Sequence, residues 1–284
     1  MAVVVHSTLP DSLTAVVDGV LRAAEVEHRA HGPGDPLRAA EAAAGDNGAV
    51  ALIGPFRSED AAHAVEATAP AGLPLLAPAA TWAGVTRDDE PGCDDPAHHR
   101  GTVLRLVARD TEVAARIAAD VRGAGRRALV VAGAHDYGRQ LDGQLRLAGL
   151  PRAEGPEDAD LVVLCGLAGA PEMGRAAALA PLPVVAFDGI QGAALGAGRD
   201  VRVALTVAPG DDVVVGDHLF FVAPTRRAAD LVVEGLRAGA SDRAALLGVM
   251  RAAGPFDEHG DPVDPPVWLW RADEDWSLTP DRAI

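Results

Sequence analysis

The segment Ala49–Thr81, AVALIGPFRSEDAAHAVEATAPAGLPLLAPAAT, limits the possible folds of this chain more than any other stretch. Ala49 to Ile53 is a continuous apolar run of strand length, the pattern of a strand covered on both faces. Gly54-Pro55 ends it, and an alanine-rich stretch at helical spacing follows. Leu73 to Leu76 is a second apolar run, broken at Pro78. Strand, helix and strand in such short succession predict a parallel crossover unit. Both strands run into turns of small and polar residues, Gly54-Pro55-Phe56-Arg57-Ser58 and Ala77-Pro78-Ala79-Ala80-Thr81. In an open parallel sheet, consecutive turns of this kind lie together at the carboxyl edge, where such sheets bind ligands. Ser58 is expected to cap the helix Glu59–Thr68, with Glu59 and Asp60 near its positive end. The amide donors at that helix start suit a carboxylate.

The alternation extends along the chain. Strands are expected at Ala2–Val5, Glu27–Ala30, Thr102–Leu106, Ala128–Ala132, Leu161–Cys165, Val184–Phe187 and Val201–Val207. Helices are expected at Ser12–Val26, Leu37–Ala44, Thr111–Ala124, Tyr137–Leu147, Ala170–Leu179, Pro224–Ala238 and Asp242–Ala252, and a ribbon at Val267–Arg271. With 284 residues the chain is long enough for two lobes, each with its own core. Strand order divides them into residues 1–107 plus 222–262 and residues 108–221 plus 263–284. Trp268 and Trp270, which alternate with Leu269, are expected to pack on the second lobe.

Composition removes several function classes. There are 41 acidic residues against 25 basic ones, a net charge of −16, which argues against nucleic acid and anionic membranes. Every basic residue is arginine, so Schiff-base chemistry and a lysine-dependent phosphate loop are excluded. No Gly-x-Ser-x-Gly, Gly-x-Gly-x-x-Gly or His-Glu-x-x-His motif occurs. No apolar run is long enough to span a membrane. A start at Met1 without a basic region or long apolar segment reads as a cytoplasmic protein, or as an exported one whose leader has been removed. Cys93, His98 and His99 do not have the spacing of a known metal site. The acidic group Asp257, Glu258, Asp261 and Asp264 does not have that of a calcium loop. No metal or cofactor is therefore expected, and the two cysteines do not form a disulfide framework.

Ordered blocks carry a family resemblance: GDPLRAAEAA, ALIGPFRS, GLPLLAPAAT, LRLVARD, ALVVAGAHDYGRQL, LVVLCG, APEMGR, PVVAFDG and FDEHGDPVDPPVWLW. Their succession over nearly the whole chain resembles the type I periplasmic solute-binding proteins, in the leucine/isoleucine/valine-binding branch of ABC transporter receptors, in a shortened form. The resemblance implies an α/β fold of two Rossmann-like lobes with parallel sheets joined by crossover strands. It implies that Ser58 meets a ligand carboxylate, that Ala79, Ala80 and Thr81 offer backbone and hydroxyl groups, and that Tyr137 approaches from the second lobe. Asp188, before Gly189, would pair with a ligand ammonium. The chain departs from that family at Gly166–Ala170, which supplies no aromatic wall, and between Leu147 and Asp160, too short for a strand and a helix.

The function expected on this basis is reversible binding of a small polar molecule, an amino acid, amide or small organic acid, without catalysis. Its partner would be an ABC permease or a regulatory protein. The alternatives are a cytoplasmic ligand sensor on the same fold, and an enzyme or non-binding remnant.

Overall fold

A computed structural model describes residues 3–32, 34–87, 101–167, 169–190, 195, 199–209, 221–273 and 277–284. Cys93, His98 and His99 lie outside the described residues. The chain divides into two units, Met1–Arg109 with His218–Pro265, and Asp110–Asp217 with Pro266–Ile284.

Unit 1 is built on a five-stranded parallel sheet of order β2-β1-β3-β4-β5. The strands are β1 (Val4–Thr8), β2 (Glu27–His31), β3 (Ala49–Ile53), β4 (Leu75–Ala77) and β5 (Val103–Arg105). The helices are α1 (Asp11–Ala23), α2 (Pro36–Gly45) and α3 (Ser58–Thr68), with α7 (Val222–Arg237) and α8 (Arg243–Ala253) from the return segment. Alternate residues of the strands face opposite ways, as the pleat requires. Ile53, Leu76 and Leu104 join the core with Leu13, Val17, Leu231 and Met250 of α1, α7 and α8. Leu52, Leu75 and Val103 join a second core with Ala40, Ala43, Ala61 and Val65 of α2 and α3. Burial on both faces is why β3 and β4 read as unbroken apolar runs.

Unit 2 carries a six-stranded sheet of order β11-β10-β9-β8-β7-β6. Strands β6 (Ala128–Ala132), β7 (Leu161–Cys165), β8 (Val184–Ala186) and β9 (Val201–Leu205) are parallel, and β10 (Trp268–Ala272) and β11 (Leu278–Ala283) are an antiparallel ribbon. Its helices are α4 (Asp110–Gly123), α5 (Asp136–Leu147) and α6 (Pro171–Ala177). Between Leu147 and Asp160 there is only a 3-10 turn, Pro156–Asp158, and an isolated bridge from Arg152 to Ala128. Trp270 is buried and its indole N–H donates to Val207 O (3.0 Å), while Trp268 stays partly exposed. Strand β11 is absent from the sequence expectations. Its residues, LTPDRA, are mostly polar and include a proline, which only an edge strand tolerates.

Strand β2, EHRAH, has almost no apolar side chain; it pairs in parallel with β1, and its histidines meet side chains of β1. On one face His6 meets His31 (Nδ1···Nε2 2.8 Å) and Asp46 (Nε2···Oδ2 3.2 Å). On the other, Ser7 Oγ meets His28 Nε2 (2.8 Å) and His28 Nδ1 faces Asp18 of α1 (3.4 Å). Burial lowers the pKa of both His28 and His31 below the ordinary 6.5. The unfolded chain therefore binds protons before the folded one as pH falls. Stability from this edge is complete above about pH 6.5 and is lost as pH falls below it. Thermal melts from pH 7.5 to 5.5 are expected to show a falling Tm, with a shallower fall in the H28Q/H31Q double variant than in wild type. Equal slopes would rule these histidines out as its source.

Candidate functional site

Unit 1 brings its two small-residue turns together at the carboxyl edge of β3 and β4. Gly54 has φ +107°, and a Cβ there would lie 2.5 Å from Thr8 O at the end of β1. Only glycine lets the turn after β3 lie against β1 in this way. Ser58 is the first residue of α3, and Arg57 occupies the capping position without a side-chain cap. The expected Ser58 cap is therefore not formed. One residue inside the helix, the Ser58 hydroxyl turns to the neighbouring loop and accepts the N–H groups of Thr81 and Trp82, both at 3.1 Å. Its two acceptor positions are thus engaged, leaving its own O–H to donate elsewhere. Ala79, Ala80 and Thr81 are buried, and Ser58 is partly exposed.

Behind that loop lies a charged cluster. Arg105, on β5, is 0% exposed, and Asp261, in the return segment, is 1% exposed. Arg105 Nε donates to Asp261 Oδ1 (2.9 Å). Its Nη1 donates to Ala80 O, and Nη2 donates to Trp82 O (2.9 Å) and Thr86 Oγ1 (2.7 Å). Asp261 also accepts from the Thr86 hydroxyl (2.6 Å) and from Arg87 Nε (2.9 Å). Arg87 reaches Asp257 as well, and Arg109 lies 3.6 Å from Asp261. Three arginines thus stand against two aspartates behind the loop that presents Ala79–Thr81. Asp257 and Asp261, whose spacing in sequence does not fit a calcium loop, here receive guanidinium groups.

Burial alone would raise the Asp261 carboxyl, but the charge of Arg105 and hydrogen bonds from Thr86, Arg87 and Arg105 bring it from 3.8 to about 2. A folded-state pKa below the unfolded one gives stability that is present above about pH 4 and lost as pH falls toward 2. D261N leaves a buried guanidinium without its carboxylate, so at neutral pH it is expected to cost about 3–5 kcal/mol in urea unfolding. It should also flatten the acid limb between about pH 4 and 2. A cost below about 1 kcal/mol, the range of surface pairs, would contradict this description of the cluster.

Unit 2 assembles a different edge. Tyr137 is the second residue of α5, and its hydroxyl donates to Asp188 Oδ1 (3.1 Å) in the 3-10 turn after β8. The sequence places these residues 51 positions apart, and the fold joins them. Burial raises the Tyr137 phenol well above its ordinary value, and the Asp188 charge raises it further. Burial also raises the Asp188 carboxyl, only partly offset by the Tyr137 hydroxyl and the amides of Asp188 and Gly189. Two further residues at this edge go unnoticed in the sequence, His135 and Glu172. His135 Nδ1 caps α5 by accepting the Gly138 N–H (3.1 Å), and its Nε2 lies 2.7 Å from Glu172 Oε1. Leu167, 44% exposed, follows Gly166 in the loop that lacks an aromatic wall.

Ser58 with Ala79–Thr81 is thus one cluster in unit 1, and Tyr137 with Asp188 another in unit 2. Arg105 had a visible signal, a single charge inside the apolar run Val103–Val107. Glu172 had none, because an acid in the first turn after Pro171 is ordinary on any exposed helix.

No model of a known protein family matches the chain, and no curated protein matches it. Solved structures do. An ABC transporter substrate-binding protein from Desulfitobacterium hafniense, in complex with Leu, is 18% identical, with a TM-score of 0.77 and coverage of 99% of this chain and 100% of that one. The branched-chain amino acid transporter substrate-binding protein from Streptococcus pneumoniae, in complex with isoleucine, is 13% identical, with a TM-score of 0.74 and coverage of 100% and 99%. A solute-binding protein from R. palustris, in complex with benzoate, is 15% identical, with a TM-score of 0.74 and coverage of 100% and 96%. These likenesses span both units, and the chain has the type I periplasmic binding protein fold that its sequence blocks resemble.

Proposed function

We propose that this protein reversibly binds a small zwitterion, an α-amino acid or a close analogue, through groups at the carboxyl edges of its two units, and that it serves as a substrate receptor for an ABC permease. The observation that supports this most is the opposite character of the two edges. In unit 1 the Ser58 hydroxyl and the Ala79–Thr81 loop stand before an arginine-rich cluster, which suits a carboxylate. In unit 2 Asp188 and Tyr137 present an acid and a phenolic oxygen, which suit an ammonium group. The structural neighbours hold Leu, Ile and benzoate, all small carboxylates.

Catalysis is the weaker reading. Among the described residues, neither edge sets a nucleophile against a base. The order Ser7–His28–Asp18 in unit 1 is that of a hydrolytic triad, but Ser7 is fully buried, out of reach of a substrate. No helix among the described residues is long and apolar enough to cross a membrane.

Calorimetric titration with L-leucine, L-isoleucine and polar amino acids tests the proposal. For an amino acid that binds, S58A and D188A are each expected to weaken affinity by more than about tenfold, the scale of a hydrogen bond to a charged group. No binding by the wild-type protein across the panel, or unchanged affinity in both variants, would refute the zwitterion site.

A further inference from the structure

We propose that Glu172 and His135 are positioning residues that hold the Tyr137 phenol against Asp188. The role of Tyr137 and Asp188 as a ligand half-site rests on the proposed function, whereas the positioning itself does not. His135 accepts the Gly138 N–H at Nδ1, so its ring proton is on Nε2, where it donates to Glu172. Both ring nitrogens are thereby engaged, and the imidazole offers a ligand no hydrogen-bonding atom. It fixes the first turn of α5, and its ring lies nearly parallel to that of Tyr137, at 11° with centroids 6.4 Å apart.

Glu172 anchors this arrangement. It is 1% exposed, and its carboxylate meets His135 Nε2 at 2.7 Å. Burial would raise its pKa, but the nearby amides of Glu172 and Leu167 and the His135 ring hold it below the ordinary value. The strand ends make room for the pair. A Cβ on Gly133, after β6, would collide with both Glu172 Oε1 and His135 Nε2, and one on Gly166, after β7, would lie 2.5 Å from Glu172 Oε1. A Cβ on Gly189, after β8, would lie 2.8 Å from Gly166 O and 3.1 Å from Tyr137 Cε1. Contacts run from Glu172 through His135 and Tyr137 to Asp188, joining the loops that follow β6, β7 and β8. A buried carboxylate is a costly group to keep unless its direction matters.

Tyr137 is the only tyrosine in the chain, so ¹³Cζ-tyrosine labelling gives a single NMR resonance that reports its hydrogen bond. The test uses the free full-length protein at neutral pH, as wild type, D188N, E172Q and H135N. D188N fixes the resonance position when the carboxylate acceptor is gone. The glutamine of E172Q removes the charge that faces the His135 N–H and replaces one acceptor oxygen with an NH₂ donor. The asparagine of H135N retains a capping oxygen for α5 but is too short to reach Glu172. Both E172Q and H135N are expected to shift the resonance toward the D188N position, and a resonance left at the wild-type position in either one overturns the proposal. If E172Q does not fold, H135N decides alone, since its helix cap is kept. Titration with L-leucine runs alongside, and H135N is expected to bind about tenfold more weakly than wild type. A wild type that binds neither L-leucine nor any other amino acid of the panel contradicts the proposed function and leaves the NMR result intact.

Discussion

The Arg105–Asp261 pair is the interaction on which the first half of the candidate site depends. A guanidinium with no exposure must find partners for its N–H groups inside the protein, or the strand that carries it cannot be buried. Arg105 finds them in Asp261 of the return segment and in the carbonyls and hydroxyl of residues 80–86. The same pairing ties the last segment of unit 1 to its sheet, where Arg105 N also donates to Gly260 O at 2.8 Å. A loop of alanines, with little to pack, thereby acquires one conformation. The hydroxyl of Ser58, accepting two of its amides from the other side, completes the hold.

The second unit is held by other contacts. Its edge is built from acids rather than arginines, and its loops close on each other because glycines at 133, 166 and 189 leave room. The buried Glu172 carboxylate has a role comparable to that of Arg105, a charge placed inside and surrounded by donors. One edge therefore gathers positive charge behind a hydroxyl, and the other gathers negative charge behind a phenol. Under the proposed function, the first edge would meet a ligand carboxylate and the second a ligand ammonium.

Much of this was legible in the sequence, and the reasons are physical. Strands buried on both faces must be apolar throughout, so β3 and β7 announce themselves. The edge strand β11 does not, because one polar side and a proline are permitted there. Ser58, Ala79–Thr81, Tyr137 and Asp188 were visible through the ordered blocks that surround them. The groups that aim them were not. Asp261 lies 156 residues from Arg105, and in sequence it belonged to an acidic run with no stated partner. Ser58 looked like a helix cap because a serine before two acids fits that pattern, and a shift of one residue gave its hydroxyl to another loop. Local pattern identifies elements, whereas the partners of buried charges are set by tertiary contacts.

The most direct test of the central claim separates the two charges of the ligand. Calorimetry would compare L-leucine with 4-methylpentanoate, which lacks the ammonium, and with leucinamide, which lacks the carboxylate. The proposed pair of half-sites predicts that L-leucine binds at least about tenfold more tightly than either analogue, since each loses a charge-assisted hydrogen bond. Equal binding of 4-methylpentanoate and L-leucine would contradict a role for the Asp188 edge, and equal binding of leucinamide would contradict one for the Ser58 edge.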